Sequence, residues 1–146
     1  MAKPTLFTKA FIDEYMSKGL WTTETVADIW DRNARDYPDK EAIVDSQNRL
    51  TWSEAKRWID RVALGFLELG LKNDDVIVTQ LPTCVESLLL RVACEKAGLV
   101  CIAVIRHARH TEMEYILRFS EAVGVVIPWK FSDFNYFQMI EDISFE

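Results

Sequence analysis

Three apolar runs of strand length alternate with two helical segments between Val76 and Ile127, and this rhythm constrains the fold more than any other feature. The runs lie at residues 76–78, 99–105 and 123–127. Alternating strands and helices predict a parallel sheet with right-handed crossover connections. Each run is continuously apolar, which is typical of strands that helices cover on both faces. The sequence therefore predicts an α/β fold with three layers, a mainly parallel sheet and a βαβαβ core.

Helix starts are indicated by Thr followed three positions later by Glu. In this capping-box pattern each of the two side chains accepts a hydrogen bond from the backbone N–H group of the other residue. The pattern occurs at Thr51 with Glu54, at Thr83 with Glu86 and at Thr111 with Glu114. The helix that follows Thr51 has the clearest apolar face, and Gly70 is expected to end it. The residues predicted on that buried face are Ala55, Trp58, Ile59, Val62, Ala63 and Phe66.

The two ends of the chain carry further predicted elements. Residues 1–21 are expected to form an N-terminal arm, with a short apolar helical stripe that ends at Gly19. A helix is predicted over residues 26–37, and a small hairpin is predicted over residues 42–50. The apolar residues of the tail predict one more helix over residues 131–145. The apolar stripe of the arm consists of Phe11, Ile12, Tyr15 and Met16.

Glycine usage argues against a nucleotide site within this chain. A phosphate-binding loop needs clustered glycines so that backbone N–H groups can approach the phosphates. The five glycines are dispersed, at positions 19, 65, 70, 98 and 124. The paired carboxylates Asp74 and Asp75 precede a strand, whereas a phosphoacceptor domain places its carboxylates after the strands. The sequence thus predicts no catalytic, cofactor-binding or metal-binding residue.

One concentrated polar segment, Arg-His-Ala-Arg-His at residues 106–110, follows a predicted strand and precedes a predicted helix. In open α/β sheets ligands bind outside the carboxyl ends of the strands, so this segment could contact an anion or a carboxylate. The candidate ligand contacts are Arg106, His107, Arg109 and His110. The competing interpretation is a solvated surface loop. A metal site at the two histidines would need at least one more ligand, and the nearby glutamates are better explained as helix-start charges.

The charge balance and the apolar segments exclude several partners. A net charge of −6 and a pI of about 5.0 disfavour nucleic acid, which needs an excess of clustered Lys and Arg. No apolar stretch has the length of a membrane helix or the pattern of a signal peptide, so we expect a cytoplasmic chain with no membrane span. Cys84, Cys94 and Cys101 lie in apolar stretches without motif spacing, and we expect buried, reduced thiols.

Several segments, in the same order, resemble the opening of the AMP-forming acyl-CoA synthetases, which are adenylate-forming ligases. These segments are Tyr-Pro-Asp-Lys-Glu-Ala-Ile-Val-Asp at residues 37–45, Leu-Thr-Trp-Ser-Glu at 50–54, and the stretch 74–82 followed by Glu86 and Ala97-Gly98. Three more segments are similar to the aryl-acid or cyclic-acid CoA ligases and the 2,3-dihydroxybenzoate–AMP ligase group. They are residues 15–21, 110–114 and 131–136.

The resemblance implies a parent enzyme of fatty or aromatic acid metabolism that uses ATP, Mg²⁺ and CoA. Such enzymes join a carboxylic acid to ATP, release pyrophosphate and pass the acyl group from the acyl-adenylate to the thiol of CoA or of a carrier protein. The family's phosphate loop, ribose-binding Asp and catalytic Lys have no counterpart in these residues. We therefore expect residues 22–146 to be a partial N-terminal domain, a scaffold that is inactive and without cofactor on its own, whose partner is the remainder of the parent enzyme.

Two alternatives remain open at this point. The first is a self-contained, flavodoxin-like binding module without catalysis. The second is an interaction domain, because a partial domain exposes apolar faces and sheet edges that can pair with another chain. We therefore also expect self-association through an exposed edge or apolar face.

Overall fold

The computed structural model describes residues 7–143 and confirms the α/β class. In chain order the elements are α1 (Lys9–Ser17), α2 (Val26–Asp36), β1 (Glu41–Val44), β2 (Arg49–Thr51), α3 (Trp52–Glu68), β3 (Val76–Thr79), α4 (Val85–Lys96), β4 (Val100–Ala103), α5 (His110–Ser120), β5 (Gly124–Val126), β6 (Lys130–Phe131), β7 (Phe134–Asn135) and α6 (Tyr136–Asp142). Strands β3, β4 and β5 form a parallel sheet. The pairs β1–β2 and β6–β7 are antiparallel hairpins, so the predicted N-terminal hairpin is confirmed.

The predicted βαβαβ core is confirmed by the order of the strands in the parallel sheet. The central strand is β3, which pairs with β4 on one side and with β5 on the other. Val76 lies opposite Val100 in the first pair, and Ile77 lies opposite Gly124 in the second. The chain moves from β3 to β4 and then back across β3 to β5. Right-handed connections in these two opposite directions place α4 and α5 on opposite faces of the sheet.

The three predicted layers follow from the alternation of side chains along β3. Ile77 packs in one cluster with Leu90 of α4, whereas Val78 packs in another cluster with Met113 of α5. Strand β3 is buried throughout, as its apolar run predicts. The prediction of full coverage is wrong for β4 and β5, because they are the edge strands of this sheet and are only partly buried.

Helices α2, α3 and α4 pack with the first hairpin in a separate part of the core. The predicted start of α3 is confirmed: the Thr51 hydroxyl accepts a hydrogen bond from the N–H of Glu54 at 3.3 Å, and the Glu54 carboxylate accepts one from the N–H of Thr51 at 2.9 Å. Gly70 follows the helix with φ +85°, the left-handed conformation expected of a helix stop. Trp58 is 39% exposed, so its predicted burial is wrong, because it lies at the margin of the apolar stripe.

The starts of the next two helices differ from the predicted capping boxes. Helix α4 begins after Cys84, whose N–H donates to the Ser87 hydroxyl at 3.5 Å, so the Thr83 box is wrong by one residue. Helix α5 begins after Arg109, whose N–H donates to the Glu112 carboxylate at 3.0 Å, so the box at Thr111 is also wrong. In both cases another side chain three residues after the actual cap position satisfies the same backbone requirement.

The predicted single helix of the tail is wrong. The chain forms the hairpin β6–β7 first, with Ser132 at φ +51° in its turn, and only then enters α6. The side chain of Asn135 accepts a hydrogen bond from the N–H of Gln138 at 3.0 Å and caps this helix. Residues 144–146, on which the end of the predicted helix falls, lie outside the described residues.

The N-terminal elements agree with the sequence. Helix α1 ends before Gly19, which has φ +67°, and α2 begins at a capping box of Thr25 and Asp28 that the sequence analysis missed. No residue of α1 is buried, and its apolar stripe contributes to a group of contacting aromatic rings. These rings belong to Phe7, Phe11, Tyr15 and Trp21. The division into an arm and a body stays a prediction, and residues 1–6 lie outside the described residues.

Among the described helices, none has the length and hydropathy needed to cross a membrane.

Candidate functional site

The candidate segment 106–110 lies at the carboxyl end of β4, where it meets the hairpin β6–β7. Together they border an open cavity of about 440 Å³. Its lining residues are Arg106, His107, Arg109, Phe131, Ser132, Asp133, Phe134 and Tyr136. Three of the four predicted ligand-contact residues therefore line one cavity at the sheet edge where α/β proteins bind ligands.

The backbone of this segment is fixed by two buried side chains that the sequence analysis did not single out. The Nε2 of Gln80, directly after β3, donates to the carbonyls of Ile105 at 3.0 Å and Ala108 at 2.9 Å. The hydroxyl of Tyr136, the first residue of α6, donates to the carbonyl of Arg106 at 2.9 Å. Gln80 is fully buried and Tyr136 almost so. Hydrogen bonds from these two buried side chains consequently hold the segment from both sides.

The sequence does contain a signal for Gln80: it is a polar residue directly after the apolar run of β3, where its side chain is expected to be buried and hydrogen-bonded. Its Oε1 has no hydrogen-bond partner within residues 7–143. The orientation of the amide is nonetheless determined, because only the NH₂ group can donate to two carbonyls. Tyr136 carries no comparable signal, because the apolar residues around it predict one continuous helix for the tail.

Arg109 stabilises the segment and does not present its charge to the cavity as a free group. Its guanidinium lies 3.9 Å from the centroid of the Phe134 ring, in a cation–π arrangement. Its Nη1 donates to the carbonyls of Arg106 and Ala108, both at 2.9 Å. The backbone N–H of Arg109 also lowers the pKa of the Glu112 carboxyl by hydrogen bonding to it. Arg109 therefore acts as an internal brace of the segment.

Arg106 and His107 are the cavity residues best placed to contact a ligand. Both are exposed, and the Arg106 guanidinium lies 5.9 Å from the centroid of the Phe131 ring. No ion pair within residues 7–143 engages either side chain. Ser132 and Asp133 border the same cavity and supply a hydroxyl and a carboxylate. The arrangement can accept a small ligand with both an anionic group and a hydrogen-bond donor.

His110 lies outside the cavity. Its Nε2 is 3.4 Å from a carboxylate oxygen of Asp142 on α6. A hydrogen bond from Gln138 and a second one from His110 hold the pKa of Asp142 below its usual range. His107 therefore borders the cavity, whereas His110 lies beside α6. Residues 7–143 contain no group of three His, Cys, Asp or Glu side chains that could hold a metal ion.

The carboxyl edge of the sheet does not form a phosphate cradle among the described residues. The segments after β3 and β5 reach Pro82 and Pro128 within a few residues, and proline has no N–H to donate. The glycines with positive φ, Gly19, Gly70 and Gly98, lie at helix ends. The residues present therefore do not fit ATP or Mg²⁺ by themselves.

Comparisons with known proteins agree on one family. Residues 30–144 match the family described as AMP-binding enzyme. The chain is 31% identical over 124 residues to the 2,3-dihydroxybenzoate-AMP ligase of Bacillus subtilis, which corresponds to 85% of this chain and 23% of that protein. It is also 31% identical over 118 residues to the medium-chain fatty-acid–CoA ligase of Escherichia coli, covering 80% of this chain and 21% of that protein.

Solved structures show the same architecture. The apo structure of Mycobacterium smegmatis MbtA matches with a TM-score of 0.78 at 28% identity, covering 83% of this chain and 23% of that one. VinN matches with a TM-score of 0.76 at 14% identity, which shows the fold alone. The chain spans 20–25% of the length of the first curated relatives. The comparisons give the flavodoxin-like alternative no support.

Proposed function

The chain belongs to the AMP-binding enzyme family, and from this membership we propose that it is the scaffold portion of an ATP-dependent ligase that joins a carboxylic acid to a thiol. In this proposal the whole protein forms an acyl-adenylate with release of pyrophosphate. It then transfers the acyl group to CoA or to a carrier-protein thiol. The relatives named as ligases of aromatic and medium-chain acids support an organic acid as the substrate class.

One observation carries the proposal: the sheet ends in a braced segment that borders an open cavity, yet residues 7–143 form no phosphate cradle at that edge. Hydrogen bonds from Gln80 and Tyr136 hold the segment in place. Segment 106–110 holds Arg106 and His107 at the cavity but supplies no phosphate contacts. This division of roles is consistent with a protein in which other segments contribute the contacts to ATP, Mg²⁺ and CoA. The partner of this chain is then the remainder of the parent enzyme, neither nucleic acid nor membrane, in the cytoplasm.

An exchange assay tests the scaffold role directly. The chain is incubated with ATP, Mg²⁺, labelled pyrophosphate and a panel of aromatic and medium-chain carboxylic acids, with a full-length curated relative as the positive control. We expect no acid-dependent exchange by residues 1–146 alone. Exchange that depends on an acid, or ATP retained by this chain in equilibrium dialysis, contradicts the proposal.

The role of the cavity is tested in the parent protein. In this proposal Arg106 and His107 contact the carboxylic acid and not ATP. We therefore expect Arg106→Ala and His107→Ala to raise the KM for the acid severalfold with a smaller effect on the KM for ATP. Lys130→Ala is the matched control, since Lys130 begins the same hairpin without lining the cavity. If all three substitutions change the KM for the acid equally, the cavity does not bind the acid.

A further inference from the structure

Two cysteines that are separated in the sequence lie together between α4 and β4. Cys94 is in the last turns of α4, and Cys101 is in β4. The N–H of Leu99 donates to the Cys94 carbonyl at 2.8 Å, and this tight connection returns the chain to the helix it has just left. Both cysteines pack in one apolar cluster with Ile77 and Leu90. Sequence spacing gave no sign of this pair, because the contact depends on the crossover.

The two thiols differ in accessibility. Cys94 is fully buried, whereas Cys101 is half-buried and borders an open cavity of about 260 Å³ beside the edge strand. The expectation of buried thiols is therefore right for Cys94 and wrong for Cys84 and Cys101, which are both half-buried. Thr79 and Arg91 border the same cavity. A small molecule in this cavity would meet Cys101 and not Cys94, which does not border it.

The surroundings of Cys101 favour its thiolate form. The neighbouring Cys94 thiol lowers the pKa of Cys101, although burial opposes this shift, and the neighbouring Cys101 thiol and burial both raise the pKa of Cys94. The Thr79 hydroxyl lies 3.8 Å from the Cys101 sulfur, and the positive charge of Arg91 acts in the same direction. The geometry agrees with this assignment. Cys101 is the more exposed of the two cysteines, lies beside the Thr79 hydroxyl and borders the same cavity as Arg91.

We propose that Cys101 is a peroxide-reactive thiol and that Cys94 is its resolving partner, so that oxidation joins α4 to β4 by a disulfide. The Cys101 thiolate attacks one peroxide oxygen, the O–O bond breaks, and hydroxide leaves and takes up a proton to become water. The Cys94 thiol then attacks the resulting sulfenic sulfur. The S–S bond forms, and the sulfenic oxygen leaves as water with the Cys94 proton. Two thiols are oxidised by two electrons in total, and one hydrogen peroxide is reduced to two waters.

The disulfide would have a local structural consequence. Strand β4 is an edge strand that leads directly into the braced segment with Arg106. A covalent link between β4 and α4 would restrict movement of this edge relative to the helix layer. The inference is independent of the proposed ligase function, since it needs only the folded chain and a peroxide.

Trypsin separates the three cysteines into different peptides, which makes the test direct. Cys84 lies in residues 73–91, Cys94 in residues 92–96 and Cys101 in residues 97–106. The folded chain is treated with hydrogen peroxide, quenched with an alkylating reagent, and digested without reduction. We expect a cross-linked peptide of 92–96 with 97–106 that is two hydrogens lighter than the sum, and that dithiothreitol separates. We expect Cys101 to be oxidised at least tenfold faster than Cys84, whose pKa is raised by burial.

Single substitutions separate the two roles. In Cys94→Ser we expect sulfenic acid on Cys101 that dimedone traps, and in Cys101→Ser we expect no cross-link and an unmodified Cys94. Cys84→Ser is the matched control and should form the cross-link at the wild-type rate. Preferential oxidation of Cys84, or oxidation of folded wild type without the cross-link, overturns the proposal.

The wild-type chain alone provides a second measurement that does not depend on variants that fold. In a time course with N-ethylmaleimide we expect Cys101 to be labelled first and Cys94 last, and we expect urea to remove this order. The same order in urea, or first labelling of Cys84 in the folded chain, also overturns the proposal.

Discussion

The carboxylate of Asp45 accepts a hydrogen bond from the backbone N–H of Val85 at 2.9 Å, although the two residues are forty positions apart. Asp45 lies in the turn of the first hairpin, and Val85 is the first residue of α4. The other oxygen of the same carboxylate accepts from the N–H groups of Gln47 and Asn48. One side chain thus shapes the hairpin turn and satisfies a free donor at the start of a helix that has no side-chain cap from Cys84.

We predict that Asp45→Ala lowers the thermal midpoint of the chain by several degrees, because three backbone donors lose their acceptor. Asp45→Asn should lower it less, since the amide oxygen can still accept. Ser46→Ala, a change in the same turn at an exposed residue, is the control and should leave the midpoint unchanged. Thermal unfolding followed by circular dichroism gives the ranking, and equal midpoints for the wild type and Asp45→Ala would contradict the capping role.

The same carboxylate predicts a pH dependence of stability. The hydrogen bond from Val85 is the largest of the contacts that lower the pKa of Asp45 below its ordinary 3.8. A carboxyl whose pKa is lowered by folding stabilises the fold above the unfolded pKa and loses that effect as pH falls through the folded pKa. The stability difference between wild type and Asp45→Ala should therefore be constant from pH 5 to 7 and shrink below pH 4. Urea titrations across this range measure it, and a difference that grows in acid would refute it.

Four alternating charges connect α2, α3 and α4. Lys96 lies 2.7 Å from Asp31 and 2.6 Å from Asp60, and Lys56 contacts the same two carboxylates at 3.2 and 2.6 Å. Burial alone would raise the pKa of Asp60, but the hydrogen bonds from both lysines outweigh it and lower that pKa. Each lysine bridges two carboxylates. Removal of one lysine therefore leaves Asp31 and Asp60 with a single positive charge between them.

We predict that Lys96→Met destabilises the chain by about 1 kcal/mol, because the substitution keeps the aliphatic stem and removes the partly buried charge. Lys9→Met is the matched control, since the Lys9–Asp13 pair is largely exposed and should contribute little. Urea denaturation at low and high salt measures both. The effect of Lys96→Met should persist in high salt better than that of an exposed pair, and identical losses for the two variants would contradict the prediction.

The parts of this structure that the sequence predicted are those that local patterns determine. The buried run of β3 and the box at Thr51 each depend on residues within one turn or one strand, and both were predicted correctly. The βαβαβ order follows from such runs together with the handedness of crossovers. The family resemblance was confirmed by the match over residues 30–144.

Several of the predictions that failed depend on contacts between distant residues, whereas the misplaced start of α5 comes from a second local box at Arg109 and Glu112. The start of α4 is set by Asp45, forty positions earlier, and not by Thr83. The candidate segment owes its shape to Gln80 and Tyr136, which lie on other elements. Whether Arg106 and His107 contact a ligand stays a prediction, because the comparisons do not address single residues.

Gln80 should be the most sensitive residue behind the candidate site. We predict that Gln80→Leu destabilises the chain by about 1–3 kcal/mol, because it leaves the carbonyls of Ile105 and Ala108 without their donor in a buried environment. Tyr136→Phe removes one hydrogen bond and should cost about 1 kcal/mol. Gln47→Leu, at an exposed position, is the control. Chemical denaturation measures the stabilities, and hydrogen exchange should show faster opening of residues 105–110 in the first two variants only.

Self-association is predicted through the outer face of α5. Tyr115 and Phe119 stack there with ring centroids 5.6 Å apart and are 64% and 75% exposed, and the exposed Val123 lies just before β5. Contiguous exposed aromatic rings of this kind mark interaction surfaces. We expect sedimentation velocity to show a weight-average mass that rises with concentration, because burying these rings in a second copy removes apolar surface from water.

Phe119→Glu should shift that association to higher concentration, because a carboxylate in the contact would have to be desolvated. Tyr37→Glu, at another exposed aromatic residue, is the control and should sediment as the wild type does. A single monomeric boundary for the wild type at high concentration would contradict self-association itself. Equal association of wild type and Phe119→Glu would instead move the contact away from α5, toward the unpaired edge of β4.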